Sequence, residues 1–362
     1  MDDHSEKESP NSGRRSLLSL ALKGGVAAGL ANMTIMKDLY AQTSGPLVIG
    51  HHAEITGGFA SWGHWHDLCA KKAVERINAE GGIAKRKVTL LTEDTESNPA
   101  TGARKLRNLI QRGNAEFVVG SVHSGVMLAS IPIATELKTI YFSQGEATEA
   151  TGSKGTRYSF RTGSDTYSMA AAGVPWALEN LGKKWCVVYA DYAWGQSHFA
   201  EAKAVVERMG GSITKGIPVP LDAKDLVPYL TQIPPDTDVV FSIFFGPLAV
   251  AYFTQAKSMG VDKKAKLYSI SGTIEAIDPD ALSGAAEGVY ILENFPRNTK
   301  YKDDAPHKEF NRILEIDDTY AREKNSNRVM AKSHCWQAWE NIYALKAAIE
   351  ASGYKSRKDM PG

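Results

Sequence analysis

Residues 47–110 read LVIGHHAEITGGFASWGHWHDLCAKKAVERINAEGGIAKRKVTLLTEDTESNPATGARKLRNLI. An apolar run, Leu47–Ile49, leads into a Gly-rich loop with aromatics, Gly57–Trp65. An amphipathic helix, Leu68–Asn78, follows and stops at Gly81-Gly82. Then come a second strand (Val88–Leu91), an acidic turn (Glu93–Asn98) and a second helix (Pro99–Ile110). This order opens a parallel sheet with helices on its faces. The long loop after the first strand falls at the carboxyl edge, where open α/β sheets bind ligands. It carries Trp62 and Trp65 and no glycine fingerprint for cradling phosphate. Aromatics in that position predict an organic ligand held by stacking and burial, not a nucleotide.

Strands and helices keep alternating beyond this unit. The pattern predicts strand Phe117–Val119, loop Gly120–Gly125, helix Val126–Leu137, strand Thr139–Phe142 and a polar loop Ser143–Gly155. Tyr158–Arg161 reads as extended, and helix Thr166–Leu181 starts at an Asp165 or Ser164 cap. Next are strand Trp185–Tyr189, loop Asp191–Ser197, helix Phe199–Met209, strand Ile213–Val219 and a short helix Leu226–Gln232. Strand Val239–Phe244, helix Leu248–Met259, strand Leu267–Ile270 and loop Ser271–Ala276 follow. Gly288–Leu292 reads as extended and able to serve as a crossover, and helices close the chain at about Ala305–Glu323 and Ala331–Ala351. Two blocks of the same logic therefore flank Arg161–Asp165. They predict lobe 1 over residues 46–163, lobe 2 over 164–292 and a return to lobe 1 over 293–362, with a hinge that a ligand closes.

Residues 1–41 read differently. Arg14-Arg15 precedes Ser16-Leu17-Leu18 and a weakly apolar run to Ala31, interrupted by Lys23. That run is shorter than the about 20 apolar residues a membrane span needs. A twin arginine before a modest apolar stretch is the pattern of a Tat export signal. Cleavage is expected before Gln42, with a site nearer Ala31 as the second choice. A disordered basic tail is the competing reading. No cysteine precedes Cys69 to take a lipid, so the expected product is soluble in a Gram-negative periplasm. Cys69, Cys186 and Cys335 leave at least one thiol free, which excludes a pure disulfide scaffold and favours buried structural cysteines. With 42 basic and 41 acidic residues, the chain has no electrostatic footprint for nucleic acid or an anionic membrane.

Taken together, several segments resemble the periplasmic solute-binding proteins of ABC transporters, in the type I, Leu/Ile/Val-binding-like group. The matching text is Arg76-Ile77-Asn78-Ala79-Glu80-Gly81-Gly82-Ile83 with Arg86-Lys87-Val88, then Glu93-Asp94-Thr95 with Pro99. It continues with Val119–Gly125, Phe160-Arg161-Thr162, Tyr192-Ala193-Trp194-Gly195 and Ala285-Ala286-Glu287-Gly288-Val289. Ala84-Lys85 departs from the usual Asn-Gly before Arg86, and the expected closing strands after the last helix are missing, as in a C-terminally truncated chain. The resemblance implies an α/β fold of two doubly wound parallel-sheet lobes joined by a multi-strand hinge. It implies a monomeric, non-enzymatic importer component that takes an amino acid, amide or aromatic-type solute to an inner-membrane permease. A sensor subunit built on the same fold is the alternative, and a periplasmic metal-dependent enzyme a further one.

The resemblance also places the ligand contacts. Trp62 becomes an apolar wall, Ser124 a hydroxyl donor, and Gln144-Gly145-Glu146 the loop that holds the ligand's polar head. Trp194 closes over the ligand, Phe245 lines the far wall, and Ser271-Gly272-Thr273 faces the amino group in amino-acid binders. Two positions depart from amino-acid binders. Ser271 stands where an acid pairs the ammonium, with Glu275 four residues later, and Glu146 stands where a Thr commonly helps hold the carboxylate. An unpaired buried carboxylate there needs a cation or a proton. The expected ligand is therefore cationic, amide-like or hydroxyl-rich, unless Glu146 turns to solvent or pairs with His123 or Arg161.

His51, His52, Glu54, His64, His66 and His123 cluster near the same predicted strand ends and raise a transition-metal reading. Residues two apart on a helix do not share a face, which counts against a His64–His66 pair. No metal or cofactor is expected. No nucleophile elbow, zinc helix motif, P-loop or dinucleotide turn occurs, so no catalytic residue is assigned.

Overall fold

The computed structural model describes residues 45–294, 305–317, 321–326 and 328–357. The expected leader lies outside the described residues. Two five-stranded sheets, parallel throughout, form the frame. The first contains β1 (Leu47–Ala53), β2 (Val88–Asp94), β3 (Phe117–Gly120), β4 (Tyr141–Phe142) and β5 (Ser159–Phe160), ordered β2-β1-β3-β4-β5. The second contains β6 (Lys184–Ala190), β7 (Ser212–Val219), β8 (Val239–Ile243), β9 (Lys266–Ser269) and β10 (Tyr290–Ile291), ordered β7-β6-β8-β9-β10. The two orders are the same topology repeated.

Both sheets are covered by helices, so their inner strands read as apolar runs without alternation. All five residues of β8 are buried, as are six of the seven in β1. In each sheet the order reverses beside the first strand, between β1 and β3 and between β6 and β8. Ligands of open α/β sheets collect at such switch points, outside the carboxyl ends of the strands.

The helix Lys332–Ser352 packs against the helix Ala60–Ala79 and adds Cys335, Ala338, Ile342 and Leu345 to the core of the first sheet. Trp65, fully buried there, donates its indole N–H to the Val329 carbonyl at 2.8 Å. All three cysteines are buried and free, and Cys69 shares this core with Cys335. Among the described residues no helix is long and apolar enough to cross a membrane.

The structure departs from the sequence reading at several element boundaries. The first helix begins at Ala60, not Leu68, so Trp62 and Trp65 ride on its opening turns and not on a loop. Likewise the helix after β6 begins at Ala193, not Phe199. Gly63 and Gly195 had suggested loop, but both serve close approach. A Cβ on Gly63 would stand 1.8 Å from the Glu54 carbonyl oxygen, and one on Gly195 would stand 2.0 Å from that of Ala190. Tyr290–Ile291 forms the edge of the second sheet beside β9. The predicted helix Ala305–Glu323 ends at Ile313 and gives way to short antiparallel bridges, Ile316 with Glu323 and Arg322 with Val329.

Candidate functional site

The carboxyl ends of β1, β3, β6 and β8 converge on one small cavity of about 30 Å³. The first sheet's side supplies Phe59, Trp62, Val122 and Glu146, and the second supplies Tyr192, Trp194, Phe245 and Gly272. His334, in the first turn of the helix Lys332–Ser352, completes the lining.

Phe245 is the hub. Its ring centroid lies 4.6 Å from Phe59, 5.5 Å from Trp62, 5.8 Å from Tyr192 and 5.9 Å from Trp194. Three of those contacts are edge-on, the arrangement that ring quadrupoles favour. Phe245 is also the N-cap of the helix Gly246–Ser258, and Gly246 follows with φ +54°, where a side chain would be strained. That turn aims Phe245 across the cleft at Phe59 and Trp62.

Glu146 is the polar centre. It is 3 % exposed, and one carboxylate oxygen, Oε2, accepts the Trp194 indole N–H at 2.7 Å. His198 Nε2 stands 3.7 Å from that same oxygen. The other oxygen, Oε1, has no hydrogen-bond partner. Burial opposes the charge, but the His198 imidazole, the His334 charge and the Trp194 N–H together hold the carboxyl below its ordinary range. Glu146 therefore neither turns to solvent nor pairs with His123. The Nδ1 of His123 accepts from the amides of Gly125 and Val126, and burial lowers this histidine to about 4. Arg161 supports the loop without forming an ion pair with Glu146. It donates to the carbonyls of Gly145 at 2.8 Å and Ala147 at 3.2 Å, to Thr151 Oγ1 at 2.6 Å and to Asp165 at 3.5 Å.

A second carboxylate crosses the cleft in the opposite direction. Glu275, in the segment after β9, accepts from the backbone N–H and hydroxyl of Ser333 on Oε1, at 2.8 and 2.5 Å. Its Oε2 meets His334 Nδ1 at 2.5 Å. Burial disfavours the imidazolium, but the carboxylates of Glu275, Glu146 and Glu293 outweigh it and raise His334 to about 9. Glu293 accepts from Ser271 Oγ at 2.8 Å; burial first, then the Glu275 charge, push it up to about 7.

Trp62, Glu146, Trp194 and Phe245 thus meet at one cavity, and Ser271 adjoins it beside Gly272. Ser124 sits one layer behind, with its hydroxyl accepting from the Ala147 amide at 3.3 Å. Gly145 is packed on Ser124 and Met127, and its carbonyl is taken by Arg161. Gln144 is buried, with neither end of its amide paired. Phe59, Tyr192, His198 and His334 were not picked out as site residues from sequence. Tyr192 carried a local signal, next to Trp194 after a strand; His334 carried none, being 188 positions from Glu146.

The histidines suspected of metal binding disperse. His51 faces Asp67, His52 contacts the Gly102 carbonyl and Tyr141, His64 meets Arg328 and Glu323, and His66 stacks on His334. Glu54 accepts from Ser121, Val122 and Thr95. Among the described residues no three His, Cys, Asp or Glu gather to hold a metal. Asp165 forms a capping box with Ser168 at the start of the helix Thr166–Asn180.

A family model described as periplasmic binding protein matches residues 46–360. Leu/Ile/Val-binding protein homolog 8 of Brucella abortus (strain 2308) is 25% identical over 252 residues, which span 65% of this chain and 62% of that protein. The match thus covers less than two thirds of that relative's length. Two solved structures share the fold. A solute-binding protein of an ABC transporter from Rhodopseudomonas palustris BisB5, in complex with 3,4-dihydroxybenzoic acid, has TM-score 0.72 at 21% identity, covering 86% of this chain and 83% of that one. The branched-chain amino acid transporter substrate-binding protein LivJ from Streptococcus pneumoniae, in complex with isoleucine, has TM-score 0.69 at 21% identity, covering 86% and 85%.

Proposed function

Since the chain belongs to the periplasmic binding protein family, we propose that it is the exported substrate-binding component of an ABC importer. It captures a small organic solute between two lobes and presents the closed form to an inner-membrane permease. The observation that carries this reading is the aromatic cavity enclosed by residues of both sheets, at both switch points. Lobe 1 spans residues 46–163, lobe 2 spans 164–292, and the remainder returns to lobe 1. Trp62, Glu146, Trp194 and Phe245 touch the solute, while Ser124, Gln144, Gly145 and Ser271 shape the loops behind them.

The physics of the cycle is population shift. A solute that contacts both lobes has higher affinity for the closed state and moves the equilibrium by that difference alone. A cavity of about 30 Å³ holds on the order of one water, so a benzene-sized solute enters only when the lobes part. No step of this cycle needs a catalytic group, and the solute leaves unchanged. The relatives' ligands, isoleucine and 3,4-dihydroxybenzoic acid, set the size range to search.

Thermal-shift screening of the purified protein against amino acids, amides, amines and aromatic acids tests the reading. Specific stabilisation by at least one solute is expected, with a decrease in radius of gyration on binding. A panel with no stabilising solute overturns it. Export is tested separately: Arg14-Arg15 replaced by a lysine pair should trap the protein in the cytoplasm, and the secreted form should begin at Gln42.

A further inference from the structure

We propose that the solute this cleft selects is a small organic cation, an amine or amidine on an apolar or aromatic body, held by the free oxygen of Glu146 among the aromatic rings. The inference rests on the solute-binding reading and names its chemical class.

Glu146 holds an acceptor that has nothing to accept. Glu146 lines the cavity, is 3 % exposed, and leaves Oε1 without a donor. Trp194, His198 and Arg161, the donors arranged around Glu146, leave that oxygen unserved. The Trp194 N–H goes to Oε2, and His198 faces that same oxygen. The guanidinium of Arg161 is spent on two carbonyls, Thr151 and Asp165. A buried carboxylate oxygen left in this condition costs free energy that a charged donor recovers.

The other acids of the cleft do not compete for that donor. Both oxygens of Glu275 are held by Ser333 and His334, and Glu293 takes the Ser271 hydroxyl. His334 Nδ1 is taken by Glu275, and although the His334 charge also favours the Glu146 carboxylate, the Oε1 of Glu146 still has no donor. An incoming cation neutralises it, whereas an incoming carboxylate adds a second like charge. An α-amino acid carries that second carboxylate, and the Nδ1 of His334, the histidine among the described lining residues, is already taken by Glu275.

The walls point the same way. Trp62, Trp194 and Phe245 line the cavity, and the face of an aromatic ring carries the negative side of its quadrupole, which attracts a desolvated cation. Flat rings also bury an apolar body with little side-chain entropy lost.

Calorimetric titration of the full chain at neutral pH tests this with matched probes: benzylamine, benzyl alcohol and benzoate, then butylamine, butanol and butyrate, with phenylalanine and leucine as zwitterions. The amine of at least one set should bind at least tenfold more tightly than its alcohol, and the carboxylates and zwitterions more weakly still. Glu146→Gln should weaken amine binding about 10- to 100-fold and bring amine and alcohol close together. Tighter binding of a carboxylate or zwitterion than of the matched amine overturns the proposal, as does amine binding unchanged in a folded Glu146→Gln. If that variant does not fold, the wild-type series decides alone. Binding confined to anionic or neutral solutes removes the cation assignment and leaves solute binding standing; no binding across the wider screen removes both.

Discussion

Each half of the molecule sends one carboxylate across the cleft, and the two are treated differently. Glu275 leaves the second sheet's side and ends on Ser333 and His334, at the start of a helix packed on the first. Every lone-pair direction that matters is filled, and the carboxylate caps the helix that carries its partners. Glu146 leaves the first sheet's side and reaches Trp194 on the second with one oxygen only. A fully paired buried ion is a fastener; a half-paired one stores an unmet interaction. The first ties the two sides of the cleft together in the closed form, and the second leaves an oxygen that the proposed occupant would complete.

Four substitution or pH experiments separate these roles, the strongest first. Glu275→Gln strands a buried imidazolium and should cost about 3–5 kcal/mol of unfolding free energy, read by urea denaturation. A loss under 1 kcal/mol would remove the distinction. Next is pH. His334 binds its proton more tightly folded, at about 9, than unfolded, at 6.5. Its stabilisation is therefore complete below pH 6.5 and is lost as pH rises through 9, on the order of 3 kcal/mol in all. Glu293, raised to about 7, adds a loss of the same sign at the lower end. The wild type should weaken steadily over this range, and Glu275→Gln should flatten the upper part.

The third test concerns the donor to Glu146. Trp194→Phe removes a charge-assisted hydrogen bond and should cost about 1.5–3 kcal/mol, whereas Trp62→Phe gives up mainly ring contact and should cost about 1 kcal/mol. Equal losses would mean that the polar contact contributes nothing beyond area. Smallest is Glu146→Gln on stability alone. The amide keeps an acceptor for Trp194 and drops a buried charge, so unfolding should change by less than about 1 kcal/mol. A loss as large as that of Glu275→Gln would make both carboxylates fasteners.

The fold was legible because parallel sheets bury both faces of their strands, and runs such as Val239–Ile243 show it directly. The tryptophans and Phe245 were legible because they follow strand ends. Helix starts were not, since Gly63 and Gly195 look like turn residues, and only coordinates reveal the carbonyl that each accommodates. The partner of Glu275 was hidden for a different reason. It lies 59 residues away, on a helix that returns to the other lobe, and no local pattern records such a pairing. The aromatic setting of Glu146 depends in the same way on Phe59, Tyr192 and His334, brought together by topology.

The N-terminal turn of the helix Lys332–Ser352 has a cap borrowed from the opposite lobe, the Ser333 amide donating to Glu275. In the proposed cycle, parting of the lobes takes that acceptor away and exposes the amide to solvent. Its hydrogen-exchange rate would then clock the fraction of time the molecule gapes, a gauge built into the chain that needs no attached probe and no knowledge of the cargo.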